Sequence, residues 1–128
     1  MGSVRREIVI DRPAAEVWSA IRDIGNVHTA LAPGFVVDTR LGDGFREVTF
    51  ANGVTVTETI VDLDDDAMRL AYSAQGGVSS HHHAVMRVIP DGSASRLVWV
   101  TDMLPHSAAT PIAAMVDKGC AAMISHLG

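Results

Sequence analysis

The 128-residue chain predicts an α+β fold in which a curved antiparallel sheet packs against one long C-terminal helix. Three observations carry this. A strand and a helix opening at Asp11-Arg12-Pro13 come first, six further strand-like runs follow, and an apolar helical pattern begins near Ala108. A sheet that grips a single helix leaves a pocket between the two, and a pocket of that kind takes a small molecule. At 48% hydrophobic residues, the length suits one compact domain over residues 1–128.

Val4 to Ile10 alternates charged and apolar residues and reads as the first strand. Asp11 is placed to cap the helix that follows, with Pro13 near its first turn and Glu16 supporting the start. This helix runs to about Asp23, with Val17, Trp18 and Ile21 on its apolar face. Gly25-Asn26 ends it, and a second short helical turn covers Val27 to Leu31 before Pro33-Gly34. Phe35–Leu41 and Phe45–Phe50 are strands separated by Gly42-Asp43-Gly44, and Val54–Leu63 follows Ala51-Asn52-Gly53. Met68–Ala74 comes after the acidic triplet Asp64-Asp65-Asp66, read as a solvated turn, and Ser80–Ile89 after Gln75-Gly76-Gly77. Arg96–Met103 is the seventh strand, and Pro105 closes the sheet. Ile112, Met115, Val116, Gly119, Met123 and Leu127 then recur at helical spacing over roughly twenty residues.

A formal charge of −5, with ten Lys and Arg scattered singly, lacks the basic stripe that phosphate neutralisation requires, so nucleic acid is not expected as a partner. No apolar run approaches a membrane span and the N-terminus is too charged for a signal-peptide core, which reads as a cytoplasmic protein, monomeric or homodimeric. Gly2 after Met1 is set against Arg6, where a myristoylation motif has Ser or Thr. The single cysteine, Cys120, excludes an internal disulfide and lies on the apolar face of the last helix, as a buried small hydrophobe rather than a nucleophile.

Ile10-Asp11-Arg12-Pro13-Ala14-Ala15-Glu16-Val17-Trp18, Gly42-Asp43-Gly44-Phe45-Arg46-Glu47-Val48 and Glu58-Thr59-Ile60-Val61-Asp62-Leu63-Asp64 together span most of the chain. In these segments it resembles the START/Bet v 1-like (SRPBCC) superfamily and, within it, the bacterial polyketide cyclase/dehydrase and lipid transport group. The resemblance implies a helix-grip fold: seven antiparallel strands and a mostly apolar cavity roofed by the C-terminal helix. Thr57 to Gly77 is also similar to the plant abscisic-acid receptors, in which the corresponding glutamate lines the hormone pocket and the Gly-Gly loop belongs to a gate. The receptor residues after those glycines are not matched by Val78-Ser79-Ser80, so hormone reception is not implied. The superfamily includes carriers, receptors and enzymes, and fold alone does not choose among them.

Strand parity selects the residues that face the pocket. A two-residue loop at Asn52-Gly53 would set Glu47 against Glu58, a repulsive pair. A three-residue loop with Gly53 in the left-handed conformation sets Arg46 against Glu58, Val48 against Val56 and Phe50 against Val54. The second register gives one apolar face with a single charged pair. Buried there, Arg46 and Glu58 are either a structural ion pair or a ligand-polarising, acid/base pair. Ile60 continues that face. On the fifth strand Leu70, Tyr72 and Ala74 share a face, and the Tyr72 phenol is either a ligand donor or core filler with its hydroxyl at the rim. Trp99, between Leu97 and Thr101, is expected in the pocket wall with Met115, Gly119 and Met123 of the helix.

His81-His82-His83 suggests a metal site at first sight, but adjacent strand residues do not converge on one ion, and no metal is expected. The charge of Arg87 turns His81 and His83 outward, leaving His82 with Ala84, Met86 and Val88 on the pocket side. His82 is then a wall residue or a general acid/base. No zinc-protease, serine-hydrolase, phosphate-loop or dinucleotide motif is present, so no cofactor is expected. Two functions follow. The first is a binding module for a hydrophobic or aromatic, polyketide- or lipid-like molecule. The second is a cofactor-independent cyclase-like enzyme, with His82 or Glu58 abstracting a proton and Arg46 or Tyr72 stabilising the enolate oxygen.

Overall fold

A computed structural model describes residues 2–128. Its element order is β1 (Gly2–Ile10), α1 (Ala14–Arg22), a π-helical turn (Val27–Leu31), β2 (Val36–Leu41), β3 (Phe45–Phe50), β4 (Thr55–Asp64), β5 (Arg69–Gln75), β6 (His81–Asp91), β7 (Ala94–Leu104) and α2 (Ala109–Leu127). The seven strands form one antiparallel sheet in the order β1-β7-β6-β5-β4-β3-β2. Every strand from β2 to β7 neighbours the next in sequence, and β1 closes onto β7. The sheet curves around α2, the helix-grip arrangement that the sequence implies.

The β3–β4 hairpin adopts the register that avoids like charges, with Arg46 opposite Glu58 and Val48 opposite Val56. Phe50 N–H donates to Val54 O at 2.9 Å, Gly53 N–H donates to Phe50 O at 2.9 Å, and Gly53 has φ +88°. A three-residue loop ending in a left-handed residue needs glycine at that position, so one residue sets the facing of two strands.

Two local expectations are corrected. The cap of α1 is Pro13 and not Asp11, and no side chain closes the first turn. Glu16 and Val17 N–H groups reach the Pro13 carbonyl instead, at 3.0 and 3.3 Å. The acidic triplet is also more than a solvated turn. Asp65 accepts from Trp18 Nε1 at 2.9 Å and from Arg22 Nε at 2.7 Å. Hydrogen bonding from Arg22, then from Trp18, holds its carboxyl below the usual carboxylate range. The contact ties α1 to the β4–β5 turn, while Ser95 Oγ bonds Arg12 O at 3.0 Å and ties the approach to α1 to β7. Helix α1 thereby covers one end of the concave face, and the other end remains for the site.

Along α2 the apolar stripe Ile112, Val116, Gly119 and Met123 is buried, as the helical spacing predicts. Arg6 on β1 pairs with Asp117 at 2.7 Å on the helix's outer side. Cys120 is buried next to this stripe. Burial, then the Asp117 charge, pushes its thiol pKa up, which opposes nucleophile chemistry. No helix among the described residues is long and apolar enough to cross a membrane.

Candidate functional site

Between the concave face and α2 lies a cavity of about 300 Å³. Its mouth is formed by three elements: the β3–β4 hairpin through Asn52 and Val54, the β5–β6 loop through Gly76–Ser79, and the first turn of α2 through Pro111. Val54 and Val78 are 38% and 61% exposed, so apolar side chains stand at the rim beside Asn52 and Ser79. The inner end is polar. Arg46 Nε donates to Glu58 Oε1 at 2.8 Å and Arg46 Nη1 to the Ile24 carbonyl at 3.3 Å, with both residues buried. The guanidinium carbon stands 5.3 Å from the centre of the Tyr72 ring, within cation–π range. Carboxylate, carbonyl and aromatic face together compensate the buried cation.

Tyr72 stays protonated across the physiological range. Burial raises its phenol pKa well above the ordinary value and the Glu58 charge adds to the rise, while Arg46 opposes it. Trp99 Nε1 lies near enough to weaken the rise slightly, but it is outside hydrogen-bonding geometry, and no described protein group accepts this buried indole N–H. On β6, His82 is half-buried in the cavity wall and its Nε2 bonds Thr101 Oγ1, while His81 on the opposite parity is exposed. Burial, then the neighbouring His81 and His83, lowers the His82 pKa and keeps the imidazole neutral.

A lowered histidine pKa has a signed consequence. The unfolded chain takes up a proton on this side chain near pH 6.5 and the folded chain only below that, so its stabilising contribution is complete above pH 6.5 and is lost as pH falls toward the lower folded value. The melting temperature is therefore expected to drop from pH 7 to pH 5.5 more steeply in the native chain than in His82→Gln. Equal slopes would refute the assignment.

Of the residues expected at the site, Arg46, Val48, Phe50, Val56, Glu58 and Tyr72 line the cavity from β3, β4 and β5. His82 and Trp99 line it from β6 and β7, and Met115, Gly119 and Met123 from α2. Ile60, Leu70 and Ala84 do not, and this corrects the expectation. Leu70 is fully buried towards the β4–β5 turn that Trp18 and Arg22 hold, under α1, where the concave face is solid core. Ile60 packs on the core one strand period beyond Glu58, at the bulge that precedes Asp62. Ala84, in register between Tyr72 and Thr101, contributes one methyl group that its larger neighbours cover.

The sequence reading missed the wall built by residues 27–36. Val27 and Leu31 project from the π-helical turn, closed by Ala32 N–H to Val27 O at 2.9 Å, and Val36 and Phe35 follow. The Val27/Leu31 spacing of four was the available signal. Phe35 and Phe50 pack with ring centroids 5.1 Å apart at 59°, filling the side of the cavity against α2. Among the described residues no group of three or more His, Cys, Asp or Glu is arranged to hold a metal ion.

The family model described as polyketide cyclase / dehydrase and lipid transport matches residues 1–127. Solved structures give the same fold. A putative uncharacterized protein from Bacillus thuringiensis superposes with a TM-score of 0.88 at 13% identity over 98% of each chain. A START superfamily protein from Mycobacterium smegmatis gives 0.78 at 12% identity, over 99% of this chain and 97% of that one. The aromatase/cyclase Zhui from a Streptomyces species gives 0.73 at 18% identity, over 98% and 90%. None of the curated proteins matches the sequence.

Proposed function

Because the chain belongs to the polyketide cyclase/dehydrase and lipid transport family, we propose that residues 1–128 form a cytoplasmic ligand-binding domain that takes a hydrophobic or aromatic, polyketide- or lipid-like molecule between sheet and α2. The observation that carries this reading is the polarity gradient of the cavity. Its walls are mostly apolar, and its one charged pair, Arg46–Glu58, is buried with Tyr72 beside it, where these groups orient one part of a ligand while the remainder is desolvated.

A second reading, a cofactor-independent cyclase or dehydratase, is favoured by one feature. A neutral imidazole and a protonated phenol share the cavity wall, so a proton acceptor and a proton donor are both in the correct state near pH 7. In that chemistry His82 Nε2, released from its bond to Thr101 Oγ1, takes a proton alpha to a substrate carbonyl and Tyr72 donates to the oxygen on which the charge develops. Arg46 is already committed to Glu58 and holds the inner end in place.

Native mass spectrometry of the protein incubated with aromatic, polyketide-like and lipid-like compounds separates the two. A compound retained one-to-one with unchanged mass is the outcome expected of a carrier or sensor. Release of an altered or isomerised product, abolished in His82→Ala with retention preserved, would establish the enzyme instead. Retention of no compound class would refute both.

A further inference from the structure

The buried ion pair of the cavity is made through one atom of each partner. Arg46 Nε donates to Glu58 Oε1 at 2.8 Å and Arg46 Nη1 donates to the Ile24 carbonyl at 3.3 Å, which leaves Arg46 Nη2 and Glu58 Oε2 without a partner among the described residues. Two exposed pairs of the same chain close differently. Arg22 reaches both oxygens of Asp65 through Nε and Nη2, at 2.7 and 3.2 Å, and Arg6 reaches both of Asp117 through the same two atoms, at 2.7 and 3.5 Å. Two-point closure is the stronger arrangement, yet the one pair removed from solvent lacks it.

The two spare atoms are open to the cavity. On the non-exposed described residues, Trp99 Nε1 is the only side-chain nitrogen or oxygen that is both sealed off and without a hydrogen bond, so Arg46 Nη2 and Glu58 Oε2 keep some open surface. Both residues are otherwise buried and both line the cavity, so that surface faces its interior. A charged donor and a charged acceptor thus stand side by side among apolar walls, where an unmet polar group is costly. A hydroxyl or an unsubstituted amide meets both at once. An ether accepts from Nη2 but offers nothing to Oε2, and a carboxylate brings its own negative charge against Glu58.

We propose that Arg46 Nη2 and Glu58 Oε2 form a two-point site that selects an uncharged ligand whose buried end both accepts and donates, a hydroxyl or an unsubstituted amide. This rests on the cavity being the ligand site and specifies which group its charged pair recognises.

The test uses three naphthalenes: 2-naphthol, 2-methoxynaphthalene and 2-naphthoate. Two fused rings suit the volume, since an apolar cavity of about 150 Å³ accommodates benzene and this one is about 300 Å³. Affinities are measured by calorimetry, and the Glu58 side-chain carboxyl is followed by 13C NMR. Naphthol is expected to bind at least about tenfold tighter than its methyl ether, the effect of one added bond to a charged acceptor, and tighter than naphthoate. The Glu58 carboxyl signal should move with naphthol and stay in place with the ether. In Arg46→Met/Glu58→Leu, which removes both charges at similar volume, naphthol and ether should bind equally. If that variant does not fold, the carboxyl signal of the native chain decides. Equal binding of naphthol and ether with an unmoved carboxyl signal, a preference for naphthol that survives in the double variant, or tightest binding of naphthoate would overturn the inference and leave the cavity as a ligand site. Binding of none of the three would remove the cavity reading and this inference with it.

Discussion

Glu58→Leu is expected to destabilise the protein by about 3–5 kcal/mol, because it leaves the Arg46 guanidinium buried without its carboxylate. Side-chain exposures of 4% and 9% put this pair in a different class from the surface pairs such as Arg12–Glu16, whose partners are more than half exposed. Arg46 would retain the long bond to Ile24 O and the Tyr72 ring, neither of which carries a formal negative charge. The double variant Arg46→Met/Glu58→Leu removes both charges at similar volume and is expected to recover most or all of the loss. Denaturant unfolding of the native chain, both single variants and the double variant forms a closed cycle that isolates the coupling. If Glu58→Leu unfolds within about 1 kcal/mol of the native chain, the pair is not the buried electrostatic unit described. The double variant also separates fold from function. A stable double variant that no longer retains a ligand would show that the pair acts on the ligand and is dispensable for folding.

That pair was legible in the sequence because two independent signals coincide on it. The turn chemistry of Asn52-Gly53 allows two registers, and only one avoids placing Glu47 against Glu58. The facing of β6 followed from Arg87 alone, since one charge on one parity sends His82 to the other face. Parity, however, says which face a residue is on and not how far the cavity extends along the strand. Leu70 lies on the predicted face and is core at the end tied to α1 by the Trp18–Asp65 contact, 47 residues apart in sequence, while Ala84 lies on it too but is covered by its larger neighbours. The missing acceptor of Trp99 was equally illegible. It depends on where three strands and α2 place neighbouring atoms, and no local pattern around Leu97–Thr101 encodes that.

Gly119→Leu is expected to cost about 3 kcal/mol and to weaken ligand retention more than tenfold, because the rings of Trp99 and Phe35 pack against α2 where Gly119 has no side chain. A Cβ built there would stand 2.9 Å from Trp99 Cζ3 and 3.1 Å from Phe35 Cε2, both rigid ring atoms held in the packed wall. Glycine in a helix interior costs about 1 kcal/mol relative to alanine, so its presence here reflects the close approach and not helix formation. The same magnitudes predict a graded response. In Gly119→Ala the helical gain of about 1 kcal/mol offsets part of an overpacking cost of about 1–3 kcal/mol, and the net loss falls between about 0 and 2 kcal/mol. Leucine gains no more from the helix than alanine does, yet adds three carbons that must displace the Trp99 and Phe35 rings or occupy the cavity. Ala121→Leu, on the exposed side of the same helix, is the control and should stay within about 0.5 kcal/mol of the native chain. Thermal unfolding with ligand retention on all three variants tests the geometry. A Gly119→Leu protein as stable as Ala121→Leu would mean that α2 does not sit against Trp99. A protein destabilised as expected that still retained ligand at native affinity would mean that the ligand is held elsewhere than beneath this turn of the helix.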